Sequence, residues 1–276
     1  MNTKIAIVSI VAVVAIVAVG VYCTQNNDDS ETIAIQGSTT VSPYMLKVQE
    51  TYEKDHKVKL QITSNGSGTG ASAAINGTAN LAMLSRDLKS SEKEAGLIQT
   101  VIGLDGIMAI VNKDSGVTNL TSIQLEKVFS GEITNWKDVG GNDKAINLIS
   151  REEGSGTRDG FEEALKKADA GYALASNAIF QTSTNAVIST VNNTTGAIGY
   201  ISIGYAKNVG DNTTVLSLDG VSATEENVLN GTYSIQRNLV LATKGEATGA
   251  TADLITWILG ADGQALLTKC GFISKA

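Results

Sequence analysis

A chain of 276 residues, 42% hydrophobic and 18% charged, has enough apolar side chains for one large domain or two lobes around real cores. Its formal net charge of −7, with no basic run longer than Lys166-Lys167, excludes a nucleic-acid binder that reads through a basic face. A single histidine, His56, and two cysteines, Cys23 and Cys270, exclude a His-rich metal site and leave a Ser-His-Asp triad only one base to use, so neither metal nor cofactor is expected.

The first 24 residues differ from the rest. From Ile5 to Tyr22 the chain is uncharged, close to the roughly 20 residues that span a bilayer and longer than an ordinary signal core. Lys4 precedes this run and Asp28, Asp29 and Glu31 follow it, which predicts an inside amino terminus and an outside body. Two fates compete. The run is retained as an anchor, or it is cleaved before Cys23, which then carries lipid. Tyr22 is a poor match to the small residue of a lipoprotein cleavage site, so retention is preferred. Residues 25–31 form a polar tether, and 32–276 form the body, held at the extracytoplasmic face of the cell membrane.

In the body, β-rich runs alternate with helical stretches, the pattern of an α/β protein. Residues 32–36 read as a strand and 41–54 as a helix, with Pro43 in the first turn, where a missing N–H costs nothing. His56 falls in the following turn. A strand over 57–63 and a short helix opening at 71–75 come next. Ser91 and Glu94 have the spacing of a capping box that starts another helix, and 107–111 reads as a buried strand. A second box, Thr121 with Gln124, leads into 125–129. Strand 146–150 runs into Arg151. Helix 161–168 carries acids at its start and lysines at its end, as the helix dipole prefers. Strands over 197–203 and 239–243 and helices over 252–259 and 263–267 complete the body, with Trp257 in its core.

One short element recurs. Gly-Ser-Gly-Thr stands at 66–69 and again at 154–157, after a strand and before a helix, and Gly37-Ser38-Thr39-Thr40 occupies a third such junction. The first N–H groups of a helix are unpaired and carry partial positive charge. Glycines admit a ligand close to that backbone and hydroxyls add donors, so each turn is a candidate anion cradle. Any one of them alone also fits an ordinary capped turn. Arg151, just before the second repeat, offers a planar fork to an oxyanion. No P-loop, dinucleotide fingerprint or nucleophile elbow is present in the sequence.

Gly37-Ser-Thr-Thr-Val-Ser-Pro43, Asn65-Gly-Ser-Gly-Thr-Gly70, Met83-Leu-Ser-Arg-Asp-Leu88 and Arg151-Glu-Glu-Gly-Ser-Gly-Thr-Arg158 together resemble the periplasmic phosphate-binding proteins of ABC phosphate transporters. Ile133-Thr-Asn-Trp136, Gly196-Ala-Ile-Gly-Tyr200 and Asp262-Gly-Gln264 are also similar to that family, in the same order, from about residue 32 to the end. The resemblance implies a two-lobed periplasmic-binding-protein fold of type II that closes on one phosphate about a hinge, with no catalysis. Lobe 1 would hold about 31–110 and 218–276, and lobe 2 about 111–217. Ser38, Thr39, Thr40 and Ser67 would donate from one lobe, and Arg151, Ser155, Gly156 and Thr157 from the other.

This chain departs from the pattern at Leu84-Ser85-Arg86-Asp87, where many members have an aspartate in the place of Ser85. Ser85 and Arg86 are expected on the ligand, with Asp87 behind them. The acceptor of the phosphate proton, which would penalise sulfate, is left between Asp87 and Glu153. Glu153 has a second reading as the partner of Arg151 or Arg158. The implied partners are inorganic phosphate and the permease subunits of an ABC transporter, with the membrane reached through the N-terminus and the body a monomer. Rival readings are a binder of sulfate, molybdate or tungstate, a phosphate sensor, and a phosphatase that would need a base or metal beside Ser67 or Ser155.

Overall fold

The computed structural model describes residues 30–274; the expected anchor, Cys23 and most of the tether lie outside the described residues. The chain begins with β1 (Glu31–Gly37), α1 (Ser42–Tyr52), β2 (Val58–Ser64), α2 (Ser67–Ile75), β3 (Leu81–Leu84), α3 (Ser90–Glu94) and β4 (Leu97–Asn112). It continues through β5 (Asn119–Leu120), α4 (Ser122–Ser130), β6 (Asn147–Arg151), α5 (Gly156–Ala168), β7 (Ile179–Gln181), α6 (Thr184–Asn193) and β8 (Ala197–Ser202). The last elements are β9 (Thr213–Val215), β10 (Ser217–Leu218), α7 (Glu225–Leu229), β11 (Gln236–Lys244), α8 (Gly249–Leu259), α9 (Ala261–Lys269) and β12 (Ile273–Ser274). Among the described residues no helix is long and apolar enough to cross a membrane.

Strand pairing carries three loops to one edge. β1 lies parallel between β2 and β3, with Gly37 opposite both Ser64 and Met83, so the turns after all three strands emerge side by side. β6 and β7 repeat this arrangement, with Arg151 opposite Gln181. Both α1 and α2 therefore begin at the same end of their sheet, as do α5 and α6 at theirs.

β4 joins the two halves. Residues 97–106 pair antiparallel with β11, and Ile107 to Val111 pair antiparallel with β8. Hydrophobic packing divides at the same place. One core is drawn from Ile107 to Ile235, joined by Ile273, and includes Phe129, Trp136, Phe161 and Tyr200. A second is built from Ile33, Tyr44, Val48, Leu60, Leu239 and Leu254 with their neighbours, and a small third from Ala71, Ala74, Leu84 and Val240. The chain thus passes between lobes at 106–107 and returns at 235–236, where the Ile107 N–H donates to the Ile235 carbonyl at 2.9 Å. A return near 218 was expected. Leu218, Val228 and Tyr233 instead pack with the second lobe, and that stretch of two-residue strand, turn and short helix has no periodicity to announce the lobe it joins.

Several element starts move in the same direction. α2 and α5 begin at Ser67 and Gly156, inside the Gly-Ser-Gly-Thr repeats, and not several residues later. The capping box at Thr121 forms as expected, with reciprocal bonds to Gln124 of 3.1 and 2.9 Å. The box at Ser91 does not. The cap of α3 falls two residues earlier, at Lys89, and Glu92 accepts from the Lys89 N–H at 2.8 Å. Trp257 is half-buried, edge-on to Tyr52, and exposed His56 stacks on the other side of α1's end against Tyr52 at 3.8 Å.

Small side chains bring α2 onto β1. At Gly37, φ is +141°, and a Cβ would lie 2.1 Å from the Met83 carbonyl oxygen, so only glycine serves. A Cβ on Gly70 would lie 2.4 Å from the Gln36 carbonyl oxygen and 2.6 Å from Gly37 Cα. Gly70→Ala gains about 1 kcal/mol of helix propensity, but the clash is with backbone that has no rotamer to yield, and such overpacking costs up to about 3 kcal/mol. The variant is expected to melt several degrees below the parent, at roughly 2–4 °C per kcal/mol for a chain of this size; an unchanged thermal melt would refute this account of the α2–β1 contact.

Candidate functional site

Four helix starts from two lobes meet at one buried place. From the first lobe come the turn before α1 and the first residue of α2. Ser38 Oγ accepts the N–H groups of Thr40 and Val41 at 3.1 and 3.3 Å, which folds the turn back on itself and leaves the hydroxyl proton to donate elsewhere. Ser67 Oγ accepts the Ser85 N–H at 3.2 Å and lies 3.4 Å from Ser85 Oγ. From the second lobe come α5, whose N-cap Ser155 accepts the Arg158 N–H at 3.3 Å, and α6, capped by Ser183 with Thr184 as its first residue. Ser38, Thr40, Ser67, Ser85, Ser155, Thr157 and Thr184 are all at most 2% exposed.

The two sets are in direct contact. Thr40 Oγ1 lies 3.1 Å from Thr157 Oγ1 and 3.4 Å from Thr184 Oγ1. The Gly68 N–H donates to the Gly154 carbonyl at 2.9 Å, and the Tyr205 hydroxyl donates to the Thr39 carbonyl at 2.8 Å. Gly156 sits against Ser67 and Ser85, so close that a Cβ there would lie 2.4 and 2.7 Å from their hydroxyl oxygens. These lobes are closed on each other.

Arg151 is 2% exposed and works from both edges of its fork. Its Nε and Nη2 donate to Glu152 at 2.7 and 2.8 Å, while Nη2 also reaches Thr39 Oγ1 at 3.2 Å and Nη1 reaches Thr184 Oγ1 at 3.4 Å. Its backbone is held too. The Arg151 N–H donates to the Tyr200 hydroxyl at 3.1 Å, and burial pushes that phenol up to about 12, so it stays neutral and can accept.

Three expectations need correction. Arg86 is buried here but turned away to other partners. It forms a two-pronged pair with Glu92, both bonds 2.7 Å, and its Nε lies 2.8 Å from Asp159 Oδ2 on α5, a charge contact without hydrogen-bond alignment. Lys89 Nζ adds a contact to the same carboxylate at 3.1 Å, so these groups fasten lobe to lobe beside the convergence. Asp87 is exposed and accepts from Gln99 and Asn238, both at 3.0 Å. Glu153 is exposed as well, and among the described residues no ion pair joins it; Glu152 takes Arg151, and Glu162 takes Arg158 at 2.6 Å. Neither acid named as proton acceptor is therefore at the convergence.

Two participants had no local signal. Thr184 arrives through the β6–β7 register. Arg237, at the start of β11, is 94% buried and pairs through Nε and Nη2 with Asp105 Oδ2 at 2.9 and 2.7 Å, while Nη2 lies 3.5 Å from Thr40 Oγ1. Asp105 accepts from Ser202 at 2.7 Å as well. Burial pushes the Asp105 carboxyl above the usual carboxylate range against the pull of Arg237 and Ser202. A groove of about 510 Å³ runs along the flank where Arg86, Asp159 and Arg237 meet. Ser38, Thr40, Ser67, Arg151, Ser155 and Thr157 lie at the convergence, and none of them lines this groove. Among the described residues no group of three or more His, Cys, Asp or Glu could hold a metal ion.

The PBP superfamily domain model matches residues 24–262 of this chain. The phosphate-binding protein PstS of Borreliella burgdorferi is 32% identical over 260 residues, covering 92% of this chain and 93% of that protein. The PstS protein of Bacillus subtilis is 34% identical over 251 residues, covering 88% and 81%. A protein of Clostridium perfringens assigned as a phosphate ABC transporter substrate-binding protein, solved with phosphate bound, superposes with a TM-score of 0.83 at 38% identity, covering 89% of this chain and all of that one.

The Arg86 cluster has a pH signature. Burial alone would raise the Glu92 carboxyl, but the bonds from Arg86 and the Lys89 N–H outweigh it and hold the group below its ordinary value of 4.5. A carboxyl depressed on folding contributes stability above its unfolded pKa and loses it as pH falls through the folded one. Glu92→Gln should therefore lower the melting temperature at neutral pH, by about 1–3 kcal/mol of stability. The gap between variant and parent should shrink steadily below pH 4.5; a gap constant across that range would contradict the pairing.

Proposed function

This chain belongs to the phosphate-binding PstS proteins of the PBP superfamily, and from that premise we propose that it captures inorganic phosphate outside the cytoplasm and delivers it to an ABC importer. The observation that carries the reading is the convergence of four helix N-termini, their Ser and Thr hydroxyls and the Arg151 fork on one buried point between two lobes. Such a point offers a tetrahedral anion many short, preoriented donors and a water-excluded setting in which they are strong.

The residues proposed to touch phosphate are Ser38, Thr39, Thr40 and Ser67 with Ser85 from the first lobe, and Arg151, Ser155, Gly156, Thr157 and Thr184 from the second. Gly156 contributes its backbone N–H at the start of α5. Arg86 acts as an interlobe fastener and not as a ligand. Micromolar affinity needs about 8 kcal/mol. Charge-assisted hydrogen bonds supply roughly 1.5–3 kcal/mol each, so a handful suffices after the costs of closure.

Binding would draw the lobes together about the crossings at 106–107 and 235–236, and the closed form would dock on the permease as a monomer. The uncharged leader would keep the body at the extracytoplasmic face, as anchor or through lipid on Cys23. Catalysis finds no support at the site. His56 precedes β2, at the end of the sheet opposite the turns that hold Ser38 and Ser67, so it offers no base to either.

A second reading has one observation in its favour. The acceptors beside the convergence are hydroxyls, which can turn to donate, and the carboxylates of Glu152 and Asp105, already engaged by arginines. Nothing there obliges the anion to carry a proton, so sulfate is expected to compete more effectively than an acceptor-bearing site would allow.

Calorimetry of the purified full-length chain in detergent is the direct test. Phosphate should bind, and Arg151→Ala should weaken binding at least tenfold. Sulfate binding tighter than phosphate would move the chain to another oxyanion, and release of phosphate from a chromogenic ester would move it to the enzymes.

A further inference from the structure

Arg237 is held as Arg151 is held. Each guanidinium gives its Nε/Nη2 edge to a carboxylate, Glu152 for one and Asp105 for the other. A guanidinium is planar, so this leaves its Nη1/Nη2 edge facing the other way. For Arg151 that edge meets Thr39 and Thr184. For Arg237 it meets Thr40, at 3.5 Å from Nη2, and Thr40 is itself in contact with Thr157 and Thr184 of the opposite lobe. The two forks thus approach one cluster of threonine hydroxyls from different strands.

The difference is that Arg237 Nη1 is buried and, among the described residues, has no hydrogen-bond partner. A buried N–H donor of a cation is expensive to leave unpaired. The side chain is 3% exposed and Asp105 is fully buried, so bulk water is not on hand to relieve it. Burial lowers the Arg237 pKa against the pull of Asp105, and the nearby Arg151 charge lowers it further. Stability alone is a weak reason for a second buried arginine here, since apolar packing in place of a buried ion pair is often no less stable.

We infer that Arg237 is a second guanidinium ligand of the anion, clamped by Asp105 and donating through Nη1, so that the site is a two-arginine cage. This rests on the phosphate reading above and adds a determinant of ligand charge to it. Each arginine carries its own carboxylate, so the two pairs together are close to neutral and the cage gains most from an anion that brings two charges. Phosphate gives up its second proton between about pH 6 and about pH 8, and the contribution of Arg237 should grow across that interval.

The test is calorimetry on the full-length chain in detergent with inorganic phosphate, at about pH 6 and about pH 8. Arg237→Gln strands Asp105 and can lose the fold, so the double variant Arg237→Met/Asp105→Leu, which removes both charges, is measured with it. The double variant is expected to melt cooperatively and to bind phosphate at least tenfold more weakly at the higher pH, with a smaller loss at the lower. An affinity within twofold of the parent at the higher pH, or equal losses at both, overturns the assignment while leaving phosphate binding itself intact. A parent chain that fails to bind phosphate overturns both. A crystal structure of the phosphate complex with Nη1 beyond hydrogen-bond reach of the anion would overturn it independently.

Discussion

Everything in this molecule is arranged around like partial charges forced together. Four helix N-termini and a guanidinium point at one place from which water is excluded, and each would repel the others in a medium of low dielectric. Such an arrangement persists only if covalent and packing constraints hold the elements in place before any anion arrives. Parallel strand register does much of this. Gly37, Ser64 and Met83 stand abreast, as do Arg151 and Gln181, so the loops that follow have no freedom to diverge. Missing Cβ atoms do the rest, letting α2 press on β1 and letting α5 meet Ser67 and Ser85 across the lobe boundary.

Counter-charges complete the arrangement. Glu152 on Arg151, Asp105 on Arg237 and Glu92 with Asp159 on Arg86 leave each buried arginine matched by acid. Two of these pairs face the convergence and the third does not. Arg86 is tied into the lobe seam, where Lys89 joins it on Asp159. A buried pair adds little net stability over apolar packing, but breaking one side of it is costly. The pairs therefore act less as glue than as jigs that fix where each guanidinium points.

The sequence made some of this legible and hid the rest for definable reasons. Gly-Ser-Gly-Thr at 66–69 and 154–157 is a local signal, and local signals survive in one dimension, so the helix starts that carry Ser67, Ser155, Gly156 and Thr157 to the lobe boundary could be read in advance. The α/β alternation and the Thr121–Gln124 box were visible for the same reason. Thr184 and Arg237 reach the site only through strand register, which no short motif encodes. Glu152 against Glu153 is a question of which way a side chain leaves the turn after β6, and adjacent acids look alike on paper. Arg86 read as a ligand because it stands next to Ser85, which occupies the position where many members of the family have an aspartate. Its true partners, Glu92 at a helix start and Asp159 in the other lobe, could be paired with it only in three dimensions. The boundary near 218 was misplaced because short elements joined by turns carry no period.

The strand that runs through both lobes has a mechanical implication. Asp105 lies on β4 within two residues of the first crossing, and Arg237 follows the second at the same distance, so the pair sits close to the axle about which the lobes would swing. Points on an axle rotate but hardly travel. Thr184 at the start of α6, in the opposite lobe, would be carried away when the cleft gapes, whereas this pair stays put. An arriving ion would then meet a stationary seat first and a moving jaw second, which separates the task of docking from the task of locking.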